Sequence, residues 1–372
     1  SRPGSRGSLN YIEIAATCRL VMNGQEMIIA NTEHAGNSGN TRYTLSNASG
    51  DIELWDISSP SAVTRIPATL SGSTLSFVGY NKTLQTILAV NPKQSTGWLK
   101  PKVIGTIPNQ NLHALNNIDL VIIAPEDFVP AAQIIAEAHE QYDAITTAIV
   151  TDQQVYNEFS SGTPDATAYR WLMKMLYDRA AGSAQRPKWL LLLGDGTYDN
   201  RKLMPTSGPN TLLTYQAANS EIETKAYASD DYFGFLEDTM GTSDISGRMG
   251  IGVGRLPVSR AADALGVAKK IATYLRNENP GKWHQQLMFV ADDGDSNLHT
   301  KISDYAAERV RVKNMSFVVS KIFLDAYTQE ASASGESYPL AKNRFLNMLN
   351  EGVLFFDYSG HGGYNNISSE SL

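Results

Sequence analysis

The chain has 372 residues, a length that predicts two or three domains rather than a single core. Apolar residues make up 42% of the sequence and charged residues 19%, a composition typical of a folded protein and not of a disordered one. The formal net charge of −7 and the lack of any block of basic residues disfavour nucleic acid as a partner. The single cysteine, Cys18, excludes an internal disulfide framework and a cysteine-rich metal site.

The first 112 residues are predicted to form an all-β, sandwich-like module. Short segments of alternating apolar and polar residues are separated by Asn-Gly, Ser-Gly and similar turn signals. The clearest of these segments are residues 11–15, 25–29, 73–78 and 86–90. We interpret residues 1–112 as a packing or presentation module, in which Cys18 is predicted to be a small buried hydrophobe and not a nucleophile.

Residues 113–282 and 283–372 are predicted to be two α/β subdomains with parallel sheets, because strands and helices alternate from Asn116 onward. Apolar runs predict buried strands, whereas segments with apolar residues three and four positions apart predict helices. In chain order, the predicted elements are strand 118–124, a helix opened by Pro130, strand 144–150, a helix capped by Thr163, strand 189–193, helix 261–276, strand 286–291, helix 302–313, strand 317–323, helix 340–350 and a strand from residue 353. The second subdomain is expected to be incomplete at its carboxyl end.

His361 is the strongest candidate for a catalytic side chain. It follows an apolar run from Val353 that predicts a buried strand. The imidazole is thus expected at the carboxyl end of a parallel strand, where ligands bind in open α/β sheets. The neighbouring glycines can leave backbone N–H groups free to bind an oxyanion. No His-Glu-x-x-His, Gly-x-Ser-x-Gly or Walker motif occurs, which disfavours a zinc protease, a serine hydrolase and a P-loop nucleotide site.

Acidic residues cluster between Asp292 and Asp295, in a segment that looks like the start of a calcium-binding loop. The glutamate that closes an EF-hand is missing at the required spacing, so an EF-hand is disfavoured. A structural calcium ion held by carbonyl groups and one or two of these aspartates is the alternative to a role in turns and helix caps. Turns, caps and solvation are the interpretation for the other acidic groups, which are Asp195 with Asp199, Asp230 with Asp231, and Asp357.

The motif Tyr358-Ser-Gly-His-Gly362 resembles the Tyr-x-Gly-His-Gly motif of the gingipain family of cysteine peptidases. Further segments that resemble this family follow its order, and they are residues 156–162, 190–195, 229–234 and 252–257. The resemblance covers about residues 112–372. Two departures are Gly363, where many members have serine, and a shorter loop after Asp295, so arginine specificity is not carried over from the family.

The resemblance implies a caspase-like fold and a catalytic pair of His361 with a cysteine, which we expect beyond Leu372. In such enzymes the thiol attacks the peptide carbonyl and the histidine assists proton transfer to the leaving amine. The N–H of Gly362 would bind the oxyanion, and a carboxylate from Asp292 or Asp293 would fix the tautomer of the imidazole. We favour Asp293, beside the glycine. No cofactor is required, and this chain alone is predicted to be inactive because it lacks the nucleophile.

The function implied by the resemblance is that of a cell-surface sortase, of which this chain is a fragment. Such an enzyme removes the C-terminal signal domain from proteins exported by the type IX secretion system and joins the cargo to a surface glycolipid. The expected partners are these protein substrates, the glycolipid acceptor and other surface components of the secretion system, at the outer face of the outer membrane. The alternatives are a secreted endopeptidase of the gingipain type and a non-catalytic docking module of a secretion complex.

Overall fold

The structure is a computed structural model that describes residues 12–14, 16–93, 99–208, 211–217, 226–241, 247–332, 335–362 and 366–368. The chain divides into two compact units, Ser1–Ile107 and Pro108–Leu372. Among the described residues, no helix is long and apolar enough to cross a membrane.

The N-terminal unit is built from short antiparallel strands. They are β1 (Glu26–Ala30), β2 (Asn40–Leu45), β3 (Glu53–Asp56), β4 (Thr64–Arg65), β5 (Ala68–Ser71), β6 (Thr74–Tyr80) and β7 (Thr86–Val90). They form two sheets with the orders β1-β7-β3-β4 and β2-β6-β5. Alternate side chains of both sheets enter one core, where Leu54, Phe77 and Ile87 are buried. This arrangement confirms the predicted all-β, sandwich-like module.

Two predictions for the first residues of this unit are wrong. Residues 12–14, from the predicted strand 11–15, have no regular secondary structure, and residues 11 and 15 lie outside the described ranges. Cys18 is exposed, not buried. The chain reaches the sheets at Leu20, whose carbonyl accepts a hydrogen bond from Ser46 N at 3.0 Å, and Met22 is its first buried side chain among the described residues. Cys18 precedes that point, so its side chain does not enter the core.

The second unit alternates strands and helices, which confirms the predicted α/β class. Its elements are β8 (Leu120–Ala124), α1 (Val129–Tyr142), β9 (Thr147–Thr151), α2 (Asp152–Phe159), α3 (Thr167–Arg179), β10 (Trp189–Leu193), β11 (Tyr215–Gln216), β12 (Ala228–Ser229), β13 (Gly252–Leu256), α4 (Ala261–Arg276), β14 (Gln286–Ala291), α5 (Leu298–Lys313), β15 (Val318–Phe323), β16 (Glu330–Ser332), β17 (Gly335–Ser337), α6 (Pro339–Glu351) and β18 (Phe355–Ser359).

The first parallel sheet of this unit has the strand order β13-β10-β8-β9. The central strand β8 is buried along its whole length because both faces of the sheet are covered. On one face Ile122 packs in a core with Ile135 of α1 and Ala268 of α4. On the other face Val121 packs in a core with Leu172 of α3. A parallel sheet covered on both sides explains why the strands read as continuous apolar runs.

The second parallel sheet has the order β15-β14-β18, with β14 buried at its centre. Strand β18 is less buried than predicted, since Phe355 is 51% exposed and Phe356 is 39% exposed. Among the described residues, β18 pairs with β14 alone. The predicted subdomain boundary at residue 282 falls between the last strand of the first sheet and the first strand of the second, and the division into subdomains stays a prediction.

The parallel pairing of β14 and β18 aligns the ends of the two strands. Ala291 lies opposite Ser359, and Asp292 N donates a hydrogen bond to Ser359 O at 3.0 Å. The residues that leave β14 and the residues that leave β18 therefore meet at the carboxyl edge of the sheet. His361 is one of them.

Candidate active site

Gly360 allows the chain to turn directly beside β14 before it reaches His361. A Cβ atom built on Gly360 would collide with Asp292 Cβ and with the Tyr358 hydroxyl. Two hydrogen bonds then hold the carbonyl of His361, one from the Tyr358 hydroxyl at 2.6 Å and one from Ser368 N at 2.9 Å. The turn is therefore fixed on both sides of the imidazole, and its close approach to Asp292 requires glycine.

Asp292 is the residue that orients His361. Its carboxylate is 1% exposed, and Asp292 Oδ2 accepts a hydrogen bond from His361 N at 3.0 Å. The same oxygen lies 3.1 Å from His361 Nδ1, a distance at which an Nδ1–H donates to the carboxylate. Asp292 Oδ1 accepts from Asp293 N at 3.1 Å. A buried carboxylate that holds both the backbone and the ring leaves Nε2 as the nitrogen directed away from the sheet.

The preference for Asp293 as the partner of the imidazole is corrected by these contacts. Asp293 Oδ2 accepts a hydrogen bond from the Tyr338 hydroxyl at 2.6 Å, next to the start of α6. Asp292 was the alternative candidate for this role in the sequence. The register of the sheet separates the two, because Ala291 pairs with Ser359 and the next position, Asp292, comes to lie against Gly360. A strand pairing of this kind is not visible in an isolated sequence.

Two further side chains lie next to Nε2 of His361. Asp295 Oδ2 is 3.0 Å from His361 Nε2 and 3.1 Å from His299 Nε2. The rings of His299 and His361 are 5.0 Å apart between centroids and almost perpendicular. His299 was not singled out as a site residue in the sequence. Its spacing of four residues from Asp295, at the start of α5, is the signal that could have identified this pair.

The loop that carries Asp295 has an unusual backbone. Gly294, Asp295, Ser296 and Asn297 all have positive φ values, between 41° and 82°. Residues other than glycine adopt this backbone conformation at a cost of order 1–3 kcal/mol each, and such residues cluster at functional sites. The run directs Asp295 back toward the two imidazoles, at the entrance to α5.

Gly362 is exposed next to the imidazole. It forms an isolated bridge with Ile367, closed by the hydrogen bond from Ser368 N to the carbonyl of His361. None of the hydrogen bonds between described residues uses the Gly362 N–H. A Cβ added at Gly362 would meet only Asn366 O, at 4.0 Å. The role of Gly362 in oxyanion binding stays a prediction, and Gly363 lies outside the described residues.

Of the acidic residues interpreted as turn, cap or solvated groups, Asp199 makes turn contacts, whereas Asp230 is paired with an arginine. Asp199 accepts hydrogen bonds from Leu203 N and Met204 N, and Asp230 forms an ion pair with Arg255 at 2.7 Å. The carboxylates of this segment do not converge on one point, because Asp292 and Asp295 contact opposite nitrogens of His361 and Asp293 accepts a hydrogen bond from Tyr338. A structural calcium ion bound to this segment stays a proposal.

Comparison with known families matches residues 113–372 to Peptidase family C25. Among solved structures, the chain is similar to dimeric latent PorU from Porphyromonas gingivalis, with 29% identity and a TM-score of 0.57. The similarity covers 75% of this chain and 29% of the PorU chain. The chain is also similar to the Arg-specific cysteine proteinase gingipain R (RgpB), with 13% identity and a TM-score of 0.47, over 69% of this chain and 50% of that chain.

No curated protein sequence matches the chain significantly. The chain spans less than a third of the length of the PorU chain and half of the gingipain R chain. The family match nevertheless extends over more than half of the 372 residues and includes β8 to β18 with the turn that carries His361. The chain belongs to peptidase family C25.

Proposed function

We propose that His361 is the general acid and base of a cysteine peptidase, and that the complete protein is a sortase. The observation that supports this proposal most directly is the buried Asp292 carboxylate that holds the His361 ring and backbone at the carboxyl edge of the sheet. Membership of family C25 supports peptidase activity of the full-length protein. Cys18 lies in the N-terminal unit, and the proposal places the nucleophile beyond Leu372.

In the proposed reaction, the cysteine thiolate attacks the carbonyl carbon of the scissile peptide and the carbonyl oxygen becomes an oxyanion. The N–H of Gly362 is directed at that oxygen. His361 donates its Nε2 proton to the leaving amine, so that a thioester and a free amine are formed. An acceptor then attacks the carbonyl carbon of the thioester, Nε2 takes up the proton that the acceptor loses, and the carbon–sulfur bond breaks to release the cysteine thiolate. Asp292 holds Nδ1 throughout, and Asp295 must leave Nε2 before the leaving amine can approach it.

The identity of the acceptor separates a sortase from an ordinary peptidase. Water gives hydrolysis, whereas an amine gives a new peptide-like bond and no net proteolysis. The likeness to PorU, at 29% identity, supports the sortase. We propose protein substrates with C-terminal signal domains, a surface glycolipid as the amine donor, and contacts with other surface components of the type IX secretion system. The proposed location is the outer face of the outer membrane.

The test uses the full-length protein with a cargo protein that carries a C-terminal signal domain, in the presence of a small primary amine. We expect release of the signal domain and a cargo carboxyl end whose mass includes the amine. His361→Gln and Asp292→Asn should each lower the rate by at least about 100-fold. His284→Gln, a change in the loop before β14, should leave the rate unchanged.

Two other results would replace the sortase with its alternatives. A cargo product with a free carboxylate, even at high amine concentration, would identify a secreted endopeptidase. Complete lack of cleavage by the folded full-length protein would contradict the peptidase and leave a non-catalytic docking module.

A further inference from the structure

We propose that Asp295, His299 and His361 form a zinc-binding site that uses the reactive nitrogen of the proposed catalytic histidine as a ligand. The candidate ligand atoms are one carboxylate oxygen and two imidazole nitrogens, and all three lie within 4.8 Å of one another. Neither the family match nor the proposed reaction requires a metal. The arrangement is found where the loop after β14 meets the turn after β18.

The spacing of the ligand atoms suits a tetrahedral ion. With metal–ligand bonds of about 2.0–2.1 Å, neighbouring ligand atoms of a tetrahedral zinc site lie roughly 3.3 Å apart. Asp295 Oδ2 is 3.1 Å from His299 Nε2 and 3.0 Å from His361 Nε2. Two edges of the tetrahedron are therefore formed within a few tenths of an ångström. The third edge joins the two imidazole nitrogens, which lie within 4.8 Å of each other. Rotation of the two rings, whose centroids are 5.0 Å apart, would bring these nitrogens to the tetrahedral distance.

The other nitrogen of His361 has the partner that zinc-binding histidines usually have. A metal-bound imidazole almost always donates its second N–H to a carboxylate or a carbonyl, which fixes the tautomer and orients the ring. His361 Nδ1 lies 3.1 Å from the buried Asp292 carboxylate. The ring is thereby directed so that Nε2, with its lone pair, faces Asp295 and His299. A ligand, its outer partner and two further ligands are all present in one place.

The two imidazole nitrogens and the carboxylate oxygen favour zinc over calcium. Two imidazoles and one carboxylate, with the fourth position left to water, match the catalytic type of zinc site. Calcium requires about six to eight oxygen ligands. The neighbouring carboxylates supply none here, since Asp292 is bonded to His361 and Asp293 to Tyr338. Partial exposure of Asp295 and His361, at 49% and 54% of their side chains, gives an ion access from solvent.

The strained loop supplies a second reason to assign a ligand role to Asp295. Asp295, Ser296 and Asn297 hold left-handed backbone conformations in succession, and Gly294 precedes them with positive φ. Glycine at these positions would remove most of that cost. Strain of this kind persists at sites that clamp a ligand. Here the strained residues place one carboxylate oxygen between two imidazoles.

Zinc at this site would inhibit the proposed reaction, a consequence that rests on the proposed function. An ion bound to Nε2 of His361 takes the lone pair that must accept and release the proton. Binding and proton transfer therefore exclude each other, and removal of zinc would restore the free imidazole. The binding itself does not depend on the proposed function and can be measured on this chain without any activity.

The experiment is a titration of the tag-free chain with Zn²⁺ in competition with a chromophoric chelator. Cys18→Ser is used as the background throughout, because the exposed thiol is itself a zinc ligand. We expect one equivalent of bound zinc. Asp295→Asn, His299→Gln and His361→Gln should each weaken binding by more than about 100-fold, whereas Asp292→Asn, which removes the outer partner, should weaken it by about 10- to 100-fold.

The control is His139→Gln. His139 pairs with Asp143 at 2.7 Å with the same four-residue spacing in a helix, and it belongs to no three-residue ligand group among the described residues. This variant should retain full affinity. Circular dichroism of every variant establishes that the fold is intact. His299→Gln is the decisive change, because His299 takes no part in the hydrogen bonds among described residues that fix Asp292 and the turn at Gly360.

Three results would overturn the zinc site. They are a folded chain that does not compete with the chelator, one equivalent of zinc that is insensitive to His299→Gln, and an equal loss of affinity in His139→Gln. Cobalt provides a second readout, since Co²⁺ in a tetrahedral site absorbs visible light strongly, and an octahedral spectrum would also contradict the site. Zinc binding by a chain whose full-length form has no peptidase activity would retain the site and reject the proposed function.

Discussion

At the scale of single residues, the site depends on a glycine whose role is steric. Gly360 lies where a Cβ would meet Asp292 Cβ and the Tyr358 hydroxyl, both of which are held by hydrogen bonds. Neither neighbour can move without displacing His361. The sequence motif predicts a turn at Gly360. The contact that excludes a side chain at this position depends on the pairing of β14 with β18, which the motif does not show.

We predict that Gly360→Ala destabilises the second unit by about 1–3 kcal/mol, the usual cost of overpacking a filled site. The displaced imidazole should also bind zinc less tightly than in the parent chain. Thermal unfolding and the chelator titration measure the two effects. Gly266→Ala is the control, because a Cβ at this exposed helical position in α4 meets nothing within 4 Å. That change should stabilise the helix by about 0.5–1 kcal/mol. Equal behaviour of the two variants would contradict the steric role of Gly360.

The residue type alone does not show whether Asp292 or Asp293 contacts the His361 ring. Both follow a buried strand and both precede Gly294 in the sequence. The structure separates them through strand register, which depends on a partner strand more than 60 residues away in the chain, as the bond from His361 to Asp292 illustrates. The cluster with His299 depends on the same long-range pairing, so only its four-residue spacing from Asp295 was accessible to sequence analysis.

At the scale of elements, the alternation of strands and helices in the second unit was predictable because apolar runs are local. The predicted helix cap Thr163 is wrong, since α3 begins at Thr167 after Ala166, which makes no side-chain cap hydrogen bond. Helix α5 shows where local signals end. It begins at Leu298, four residues before the predicted start, after Asn297 in a left-handed conformation and without a side-chain cap. Strand β18 has the composition of a buried strand, yet among the described residues it pairs with β14 alone. The number of neighbours of a strand is set by the sheet and not by its own residues.

Helix α2 carries an acidic residue, Glu158, that forms hydrogen bonds with residues 110–113 at the start of the second unit. Burial alone would raise the pKa of Glu158. Hydrogen bonds from Leu112 N, Gln110 and His113 outweigh that effect and lower the pKa to about 2. Because this pKa is below the value of about 4.3 in an unfolded chain, the ionised carboxylate stabilises the folded unit above pH 4. That contribution is lost as the pH falls from about 4 toward 2.

We predict that Glu158→Gln lowers the free energy of unfolding by about 1–3 kcal/mol at pH 7, as expected for hydrogen bonds to a charged group. The difference from the parent chain should shrink as the pH falls through 4 toward 2, where the parent carboxylate is protonated. Urea unfolding at several pH values measures both effects. The control is Glu137→Gln on the exposed face of α1, where the acceptor of one bond from Gln133 loses its charge and the change should stay within about 0.5 kcal/mol. A difference for Glu158→Gln that does not depend on pH would contradict the assigned pKa.

At the scale of the whole molecule, each unit has its own hydrophobic core. The core of the N-terminal unit uses residues 22–89, and the cores around the two parallel sheets use residues 112–345. Every group of the described residues that is proposed for the active site or for the zinc site lies between Asp292 and Gly362. The change from β-type to α/β-type sequence patterns made this division predictable, because each pattern belongs to a different way of burying apolar surface.

We therefore predict that residues 108–372, produced without the N-terminal unit, fold and bind zinc with the affinity of the intact chain. A separate core supplies the stability, and all of the ligands with their outer partner are retained in this piece. Circular dichroism and the chelator titration, carried out on the piece and on the intact chain in parallel, measure both properties. His299→Gln in the shorter chain should reduce the affinity as it does in the longer one. A shorter chain that folds but has lost zinc binding would mean that the site needs a group from residues 1–107, and a chain that does not fold would contradict the independence of the two cores.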